Sequence, residues 1–534
     1  MQVRITCSMW PIVSFTVGNL GRIRFQRRTE NRDIRRKKAG GYLTVFLALS
    51  LPIILSLVFV LLDGARRNAV RLQTEFAVDT AVNSALAEFS KELFEQYDLL
   101  MIDTSYRTGN AQLSNTEQHV RKYLEANLSS GGVKRMGTAD FTRTSLSELT
   151  LTNTRFALDE GCGVLREQVN AYMSAEPVES LLSDALSNVN SYNGFGFDLS
   201  EWSRKKSENE EQLNTALNEM RNRGEDSSGE DEENEEESRS DAVSYAAANG
   251  VDEEHAMDPW KEINALCSTP ILTLALGSGE NVSNQSVNTA EYVSHRSWNQ
   301  GSGATAQNSH HYDQADALFM NQYISEKCGN YQDVMDKGQL SYQMEYILFG
   351  ESSDRANLEK MAETLLLIRL AANTAFILTD GTKRAEAAVW GTILSLICLS
   401  PELEEVFTNA ILLAWSYVES VNDLKTLFAG GKVPLMKDNS SWKTALVSIF
   451  KPDLSGGSSS AGLDYEEYQR ILLFLENGDM RDYRLMDVME MDIRKAEGGS
   501  SFRLDNCMDT FTANVTVNSN FGYSCQICRE ATYE

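Results

Sequence analysis

The residues best able to do chemistry in this chain are few and scattered. Of five histidines in 534 residues, only His310 and His311, with Asp313 and Asp316 beside them, suggest a metal site. Neighbouring side chains on a helix diverge by about 100°, so adjacent histidines ligate one ion poorly, and a solvated helix start is expected instead. Cys525 and Cys528 form a single C-x-x-C near the end, without a second pair at zinc spacing. An outward-facing disulfide, or free thiols in a loose tail, is the expectation there. Asp103, Thr104 and Ser105 follow the apolar run LLMI like the opening of a D-x-S-x-S cation site. Arg107 stands where the second serine would, which removes an oxygen ligand and adds a positive charge, so a strand-to-loop exit is expected. The sequence contains no G-x-S-x-G, no H-E-x-x-H, no phosphate loop and no dinucleotide-binding glycine pattern. No catalytic, cofactor-binding or metal-ligating residue is therefore assigned, and a non-enzymatic protein is expected. The alternative is a membrane-tethered enzyme, ligand sensor or adhesin whose site is assembled from distant residues, for example acids of 464–497 facing histidines.

The dominant element is an anchor. Leu43 to Leu62 reads LTVFLALSLPIILSLVFVLL, without a charge, and at 1.5 Å per residue a helix of that length spans about 30 Å of hydrocarbon. Pro52 in its middle is tolerated in a bilayer, where it can kink the span. Residues 1–42 hold ten Lys or Arg against Glu30 and Asp33, whereas Arg66, Arg67 and Arg71 after the span are balanced by Asp63, Glu75 and Asp79. The positive-inside rule then puts the N-terminus in the cytoplasm and the rest outside, with membrane lipid as the first partner. The acidic excess behind the net charge of −27 lies entirely beyond the tail. Such a surface repels phosphate backbones, so no nucleic acid partner is expected. Seven of the eight cysteines fall outside, an odd and widely spaced set, so the ectodomain must be held by its core rather than by disulfides.

Beyond the span, Val70, Ala77, Val78, Ala81, Ala85, Phe89, Leu93 and Tyr97 fall at helical spacing and predict one stem helix continuing to Leu100. Tyr97 to Asp103 then reads as a switch to a short buried strand. Ser114 and Glu117 predict a capping box opening a helix over 114–128; a strand over 146–158 and helices over 161–173 and 177–190 follow. From about 190 to 258 the composition turns polar, and Glu225 to Glu237 holds nine acids and no base, which predicts a solvated linker. Helices are expected over 310–327, 354–378, 383–399, 402–428 and 464–476. Two of these, at 365–378 and 387–399, are apolar but too short to span and read as core. In FTANVTVNS, Phe511, Ala513, Val515 and Val517 share one face of a strand and Thr512, Asn514, Thr516 and Asn518 the other. The expected fold class is α+β. Its division is a basic cytoplasmic tail (1–42), a transmembrane helix (43–62), an amphipathic stem helix (63–100) and a small α+β region (101–190). There follow a disordered acidic and polar linker (191–308), a helix-rich ectodomain ending in a few antiparallel strands (309–523) and a tail (524–534).

The run AGGYLTVFLALSLPIILSLVFVLLDGARRNA, followed by AVDTAVNSALAEFSKELFEQYDLLMID, resembles the N-terminal pattern of TadE-like and TadG-like proteins of the tight-adherence pilus system. QMEYILFGESSDRANLEKMAETLLLIRLAANTAFIL and YEEYQRILLFLENGDMRDYRLMDVMEMDIR resemble an uncharacterised family of Gram-positive anaerobes encoded near tight-adherence genes. The resemblance implies a pilus-associated or secretion-associated surface protein that meets pilins or assembly proteins through its transmembrane and stem helix, with no catalytic residues to carry over. Cleaved pilins usually carry Glu at the fifth mature position; counted from Tyr42 that place is Phe46, which implies a helix that stays uncut and embedded.

Overall fold

The computed structural model describes residues 42–128, 142–174, 179–196, 198, 200–223, 232–253, 258–278, 281–298, 301, 314–335, 338–452, 454, 461–476 and 478–533. The basic tail, His310, His311 and Asp313, and acids 225–231 lie outside them. The protein is α+β, mostly helical with one small antiparallel sheet.

Helix α1 runs unbroken from Tyr42 to Leu86 with Pro52 inside it, and changes character halfway. None of its most apolar stretch is buried in the molecule. From Val70 onward, Val70, Ala77, Val78, Ala81, Val82 and Ala85 are buried. The small residues of this stripe let the helix lie close on its support. The stem does not continue to Leu100 as one helix. Ser90 caps a new short helix, α2 (Lys91–Tyr97), by accepting the Leu93 amide at 3.4 Å, and Asp98 ends it in the left-handed region (φ 55°). A serine whose side chain bonds the backbone competes with helix continuation, and the apolar spacing alone does not reveal this.

The support is a sheet made from both ends of the chain. Strand β3 (Cys507–Ser519) is central; β2 (Thr144–Phe156) pairs along one edge, while β4 (Tyr523–Thr532) and the two-residue β1 (Ile102–Asp103) pair along the other, all antiparallel. Helix α3 (Leu113–Leu128) and α1 cover one face, burying Phe511, Ala513, Val515 and Val517 together with Leu149, Leu151 and Ile527. Thr512, Asn514, Thr516 and Asn518 line the opposite face, as their alternation predicts. The final residues are not a loose tail, because β4 completes the hairpin. The capping box at Ser114 is not formed either: Ser114 lies inside α3 and donates to Gln112, while Glu117 accepts the Leu151 amide at 3.1 Å, tying helix to sheet.

The remaining elements build the helical part: α4 (Asp159–Ser174), α5 (Glu179–Phe195), α6 (Glu201–Arg223), α7 (Glu232–Ala248), α8 (Lys261–Cys267), α9 (Ile271–Leu276), α10 (Gln314–Lys327), α11 (Gln343–Phe349), α12 (Asp354–Thr379), α13 (Gly381–Ile397), α14 (Glu404–Phe428), α15 (Tyr465–Leu475) and α16 (Gly478–Lys495). The polar stretch expected as a linker over 191–308 is largely helical where it is described. Trp202 of α6 donates its indole N–H to the Leu413 carbonyl at 2.9 Å and stacks on Tyr417, and Asn209 bonds both Val406 and the Trp260 indole. Trp202, Leu213, Ala242, Ala246 and Trp260 are buried against α13 and α14. A few large apolar residues suffice to dock these helices, and average composition conceals them.

The apolar run 365–378 lies in the core, as its shortness predicts: α12 as a whole is 26 residues long, but most of its apolar stretch is buried, and Arg369 within it is fully enclosed. Helices α13 and α14 approach closely at Gly391, where an added Cβ would lie 2.2 Å from Thr408 Oγ1 and 2.7 Å from the Glu404 carbonyl. Gly391→Val is therefore expected to cost about 1–3 kcal/mol by forcing the two helices apart, measurable as a lowered chemical-denaturation midpoint.

Candidate functional site

Among the described residues, two features offer open surface: the uncovered half of α1, and a cavity beyond the end of its packed half. The packed half is held along its length by β4. Arg67 stacks on Tyr523 (4.5 Å to the ring centroid), Asp79 pairs with Arg529 at 2.7 Å, and the Tyr533 hydroxyl donates to the Leu86 carbonyl. Helix residues 67 to 86 and strand residues 523 to 533 each advance roughly 30 Å, so the two elements stay in step. Leu72 and Phe76, four residues apart, remain exposed on the stem beyond the apolar span.

The cavity, 370 Å³ in volume, lies among the segments 88–92, 103–107 and 498–502. Its wall contains two successive non-glycine residues in the left-handed region, Tyr106 (φ 47°) and Arg107 (φ 63°). Such backbone is uncommon and is retained where the surroundings over-determine it. Here the determinant is Asp103, whose carboxylate accepts the Ser105 amide at 2.8 Å and the Ser105 hydroxyl at 2.7 Å, while Ser105 Oγ accepts the Arg107 amide at 3.2 Å. The Arg107 guanidinium then pairs with Glu92, and the Tyr106 ring stacks on His119 (4.0 Å, 21°). His119 Nδ1 lies 2.9 Å from Glu88, which also accepts the Tyr123 hydroxyl at 2.5 Å. Gly499 is required by close packing, since a Cβ there would lie 2.0 Å from the Ile493 carbonyl.

The D-x-S reading is thus placed on a cavity wall, but Asp103 and Ser105 spend their polar atoms on each other, and Arg107 turns to Glu92. Three carboxylates, three serines and two cations line this space, and Glu88, Glu92, Asp103, Ser105 and Arg107 among them bond one another or neighbouring side chains. His119 faces Glu88 rather than Ser105, so the pairs do not form a nucleophile–base relay. Among the described residues no group of three or more His, Cys, Asp and Glu is arranged to hold a metal ion. Asp316 accepts from Asn170 at 2.6 Å.

The acids of 464–497 face lysine, arginine, tyrosine, serine and glutamine side chains rather than histidines. Helix α16, unanticipated from sequence, buries Asp482, Asp487, Glu490 and Asp492. Asp482 pairs with Arg166 and Arg481; Asp487 accepts from Ser294 and Tyr346; Glu490 takes a two-pronged bond from Arg296, which also reaches Asp505; and Asp492 accepts from Tyr97 and Gln343. These carboxylates tie α2, α4, α11 and the 294–296 segment to one helix, and burial pushes the Asp487 carboxyl up to about 6. At about 100° per residue these four acids are spread round the helix rather than along one face, so each meets a different neighbour.

Cys525 and Cys528 do not form a disulfide. They lie on β4 three residues apart, so their side chains leave opposite faces of the sheet, Cys528 exposed and Cys525 partly covered by α1. A short exposure of the folded chain to a maleimide is expected to label Cys528 well ahead of Cys525, read by peptide mass spectrometry; equal labelling would argue against the strand register.

Residues 249–519 match the model of a family of unknown function, DUF5702. The chain belongs to this family. No curated protein and no solved structure matches it. The DUF5702 segment opens just after α7 and closes on the last residue of β3, so it carries Arg369, the α16 acids and the 498–502 wall of the cavity. Helix α1, β2, β4 and the 88–107 wall lie outside it.

Proposed function

We propose that this protein is a non-enzymatic, single-pass membrane protein whose extracytoplasmic part serves as a structural or assembly component of a tight-adherence (Flp-type) pilus or a related secretion system. One observation carries the reading: a single 45-residue helix is apolar and wholly uncovered over its first half, and packed under an antiparallel sheet over its second. An apolar surface of that size is stable in a bilayer and not in water. Continuity through Leu62 couples the anchored half mechanically to the sheet. The basic residues before the span orient the N-terminus toward the cytoplasm. The stem's buried stripe is already occupied by the chain's own α3 and sheet, so a pilin or assembly-protein helix has the span and the exposed Leu72 and Phe76 left to meet.

The test is in cells expressing the full chain. After alkaline carbonate washing the protein should stay in the membrane pellet, and external protease should digest the large domain while sparing the basic tail. A photo-crosslinking residue at Leu72 or Phe76 should then capture pilus or secretion components, identified by mass. Release by carbonate would overturn the anchor; capture of none of those components from pilus-producing cells would overturn the assembly role.

A further inference from the structure

The end of the sheet nearest the span carries a cluster of guanidinium groups on aromatic rings. Strands β3 and β4 are joined through Asn520, Phe521 and Gly522, with Gly522 in the left-handed region (φ 81°) and its amide donating to the Ser519 carbonyl at 3.0 Å. This is the three-residue hairpin geometry that uses glycine at its last position. The turn is tied down from a second side: Ser519 Oγ donates to the Thr142 carbonyl at 2.6 Å and the Asn520 amide to the Arg143 carbonyl at 3.1 Å. Three guanidinium groups gather on its rings. Arg66 lies 4.1 Å and Arg143 6.0 Å from the Phe521 ring centroid, and Arg67 lies 4.5 Å from that of Tyr523. Asp63, paired with Arg67, is the acid at this level of α1.

Position gives the cluster its meaning. Arg66 follows Leu62 by four residues, about 6 Å along the helix axis, so in a membrane-inserted α1 the cluster sits at headgroup depth. Aromatic rings with a polar or cationic neighbour concentrate at that depth, and guanidinium stacks through its faces while it recognises phosphate through its edges. The sign of the charge also opposes that of the rest of the domain. An acidic ectodomain is repelled by anionic headgroups, and a basic foot at its membrane end offsets the repulsion where contact occurs.

We propose that the β3–β4 turn, with Arg66, Arg67 and Arg143, is a foot that seats the domain on the phosphates of anionic phospholipids and fixes its pose on the bilayer. This rests on the membrane-anchor reading of α1. The experiment uses the full chain reconstituted in vesicles of phosphatidylcholine alone, or of phosphatidylcholine with phosphatidylglycerol, and Phe521→Trp as the reporter, its emission taken as the difference from the unsubstituted chain. Tyr523→Trp serves as a second reporter should the first disturb the turn, with circular dichroism and melting as the folding check. Flotation with the vesicles after carbonate treatment tests the anchor separately. In floating protein, a nitroxide on the lipid headgroup should remove most of the added emission and one at the acyl-chain end little of it. Phosphatidylglycerol should strengthen headgroup quenching, and Arg66→Gln, Arg67→Gln and Arg143→Gln together should abolish that strengthening. Failure to float overturns the anchor. Flotation with an unquenched reporter overturns the foot alone, and quenching indifferent to phosphatidylglycerol or to the arginines overturns its preference for anionic lipid.

Discussion

Asp423→Asn is expected to lower the unfolding free energy by about 3–5 kcal/mol, the usual cost of removing one partner from a buried charge network. Asp423 is buried between two cations. It accepts Arg369 Nε at 3.1 Å and Asn373 Nδ2 at 2.9 Å, and lies 2.6 Å from Lys437 Nζ. Lys437 also pairs with Glu419, which in turn accepts the Lys443 and Thr444 amides. Arg369 donates besides to the Pro434 and Leu435 carbonyls and to the Tyr468 hydroxyl, so this one side chain joins α12, α14, α15 and the 433–435 segment. With an amide at 423, Arg369 loses the carboxylate it pairs with and Lys437 keeps that of Glu419. Tryptophans 415 and 442 adjoin the network through Thr444 and α14, so guanidinium unfolding followed by tryptophan emission reads it directly. Asp479→Asn is the control: Asp479 pairs with Arg166 at the surface, and exposed pairs are worth about 0–1 kcal/mol. Equal behaviour of the two variants would contradict the network's role.

Stability is also expected to fall as pH rises from about 4.5 to about 7, through Glu345. This carboxyl is fully enclosed on α11; burial pushes it up to about 7, against the bonds from the Tyr331 amide and the Tyr465 hydroxyl to Oε1 and the opposing influence of the Gln469 side chain. The folded state therefore holds the proton in a range where the unfolded chain, titrating near 4.5, has lost it. The stabilisation is full below the unfolded value and is lost as pH rises through the folded one, on the order of 3 kcal/mol in all. Asp487, raised by burial to about 6, adds a smaller effect of the same sign from its ordinary value near 3.8. Glu345→Gln keeps an acceptor for both donors and removes the titration. Its unfolding free energy should stay flatter than the unsubstituted chain's between about pH 5 and pH 8, with the difference growing toward pH 8. A constant difference across that range would show that Glu345 does not titrate in it.

The elements read most accurately from sequence are those whose burial is one-sided and local. The apolar run 43–62, the alternation of Phe511, Ala513, Val515 and Val517, and the core character of the helix holding Arg369 all emerge in place. Errors gathered where a short polar signal competes with a longer apolar one. Ser90 ends a stem whose stripe continues past it, and Ser114 sits inside a helix it was expected to cap. The helices at 201–223 and 232–248 carry too few apolar residues to announce themselves, and each docks through residues such as Trp202 and Ala246 that matter only once α13 and α14 are beside them.

The sequence by itself determined that the chain has an uncharged segment long enough to cross a bilayer, a basic side and an acidic side to that segment, and a helix continuing beyond it, because hydropathy and charge act over neighbouring residues. Only the tertiary structure decided what the continuation rests on. Strand β4 comes from the last residues of the chain and β2 from positions more than three hundred residues before β3, and their pairing closes a loop that no local pattern records. The same closure brings Phe521 and Tyr523 to Arg66 and Arg67, and the 498–502 segment to Asp103. Loop-closure entropy opposes such distant contacts, so they form only when a whole layer of side chains is buried together.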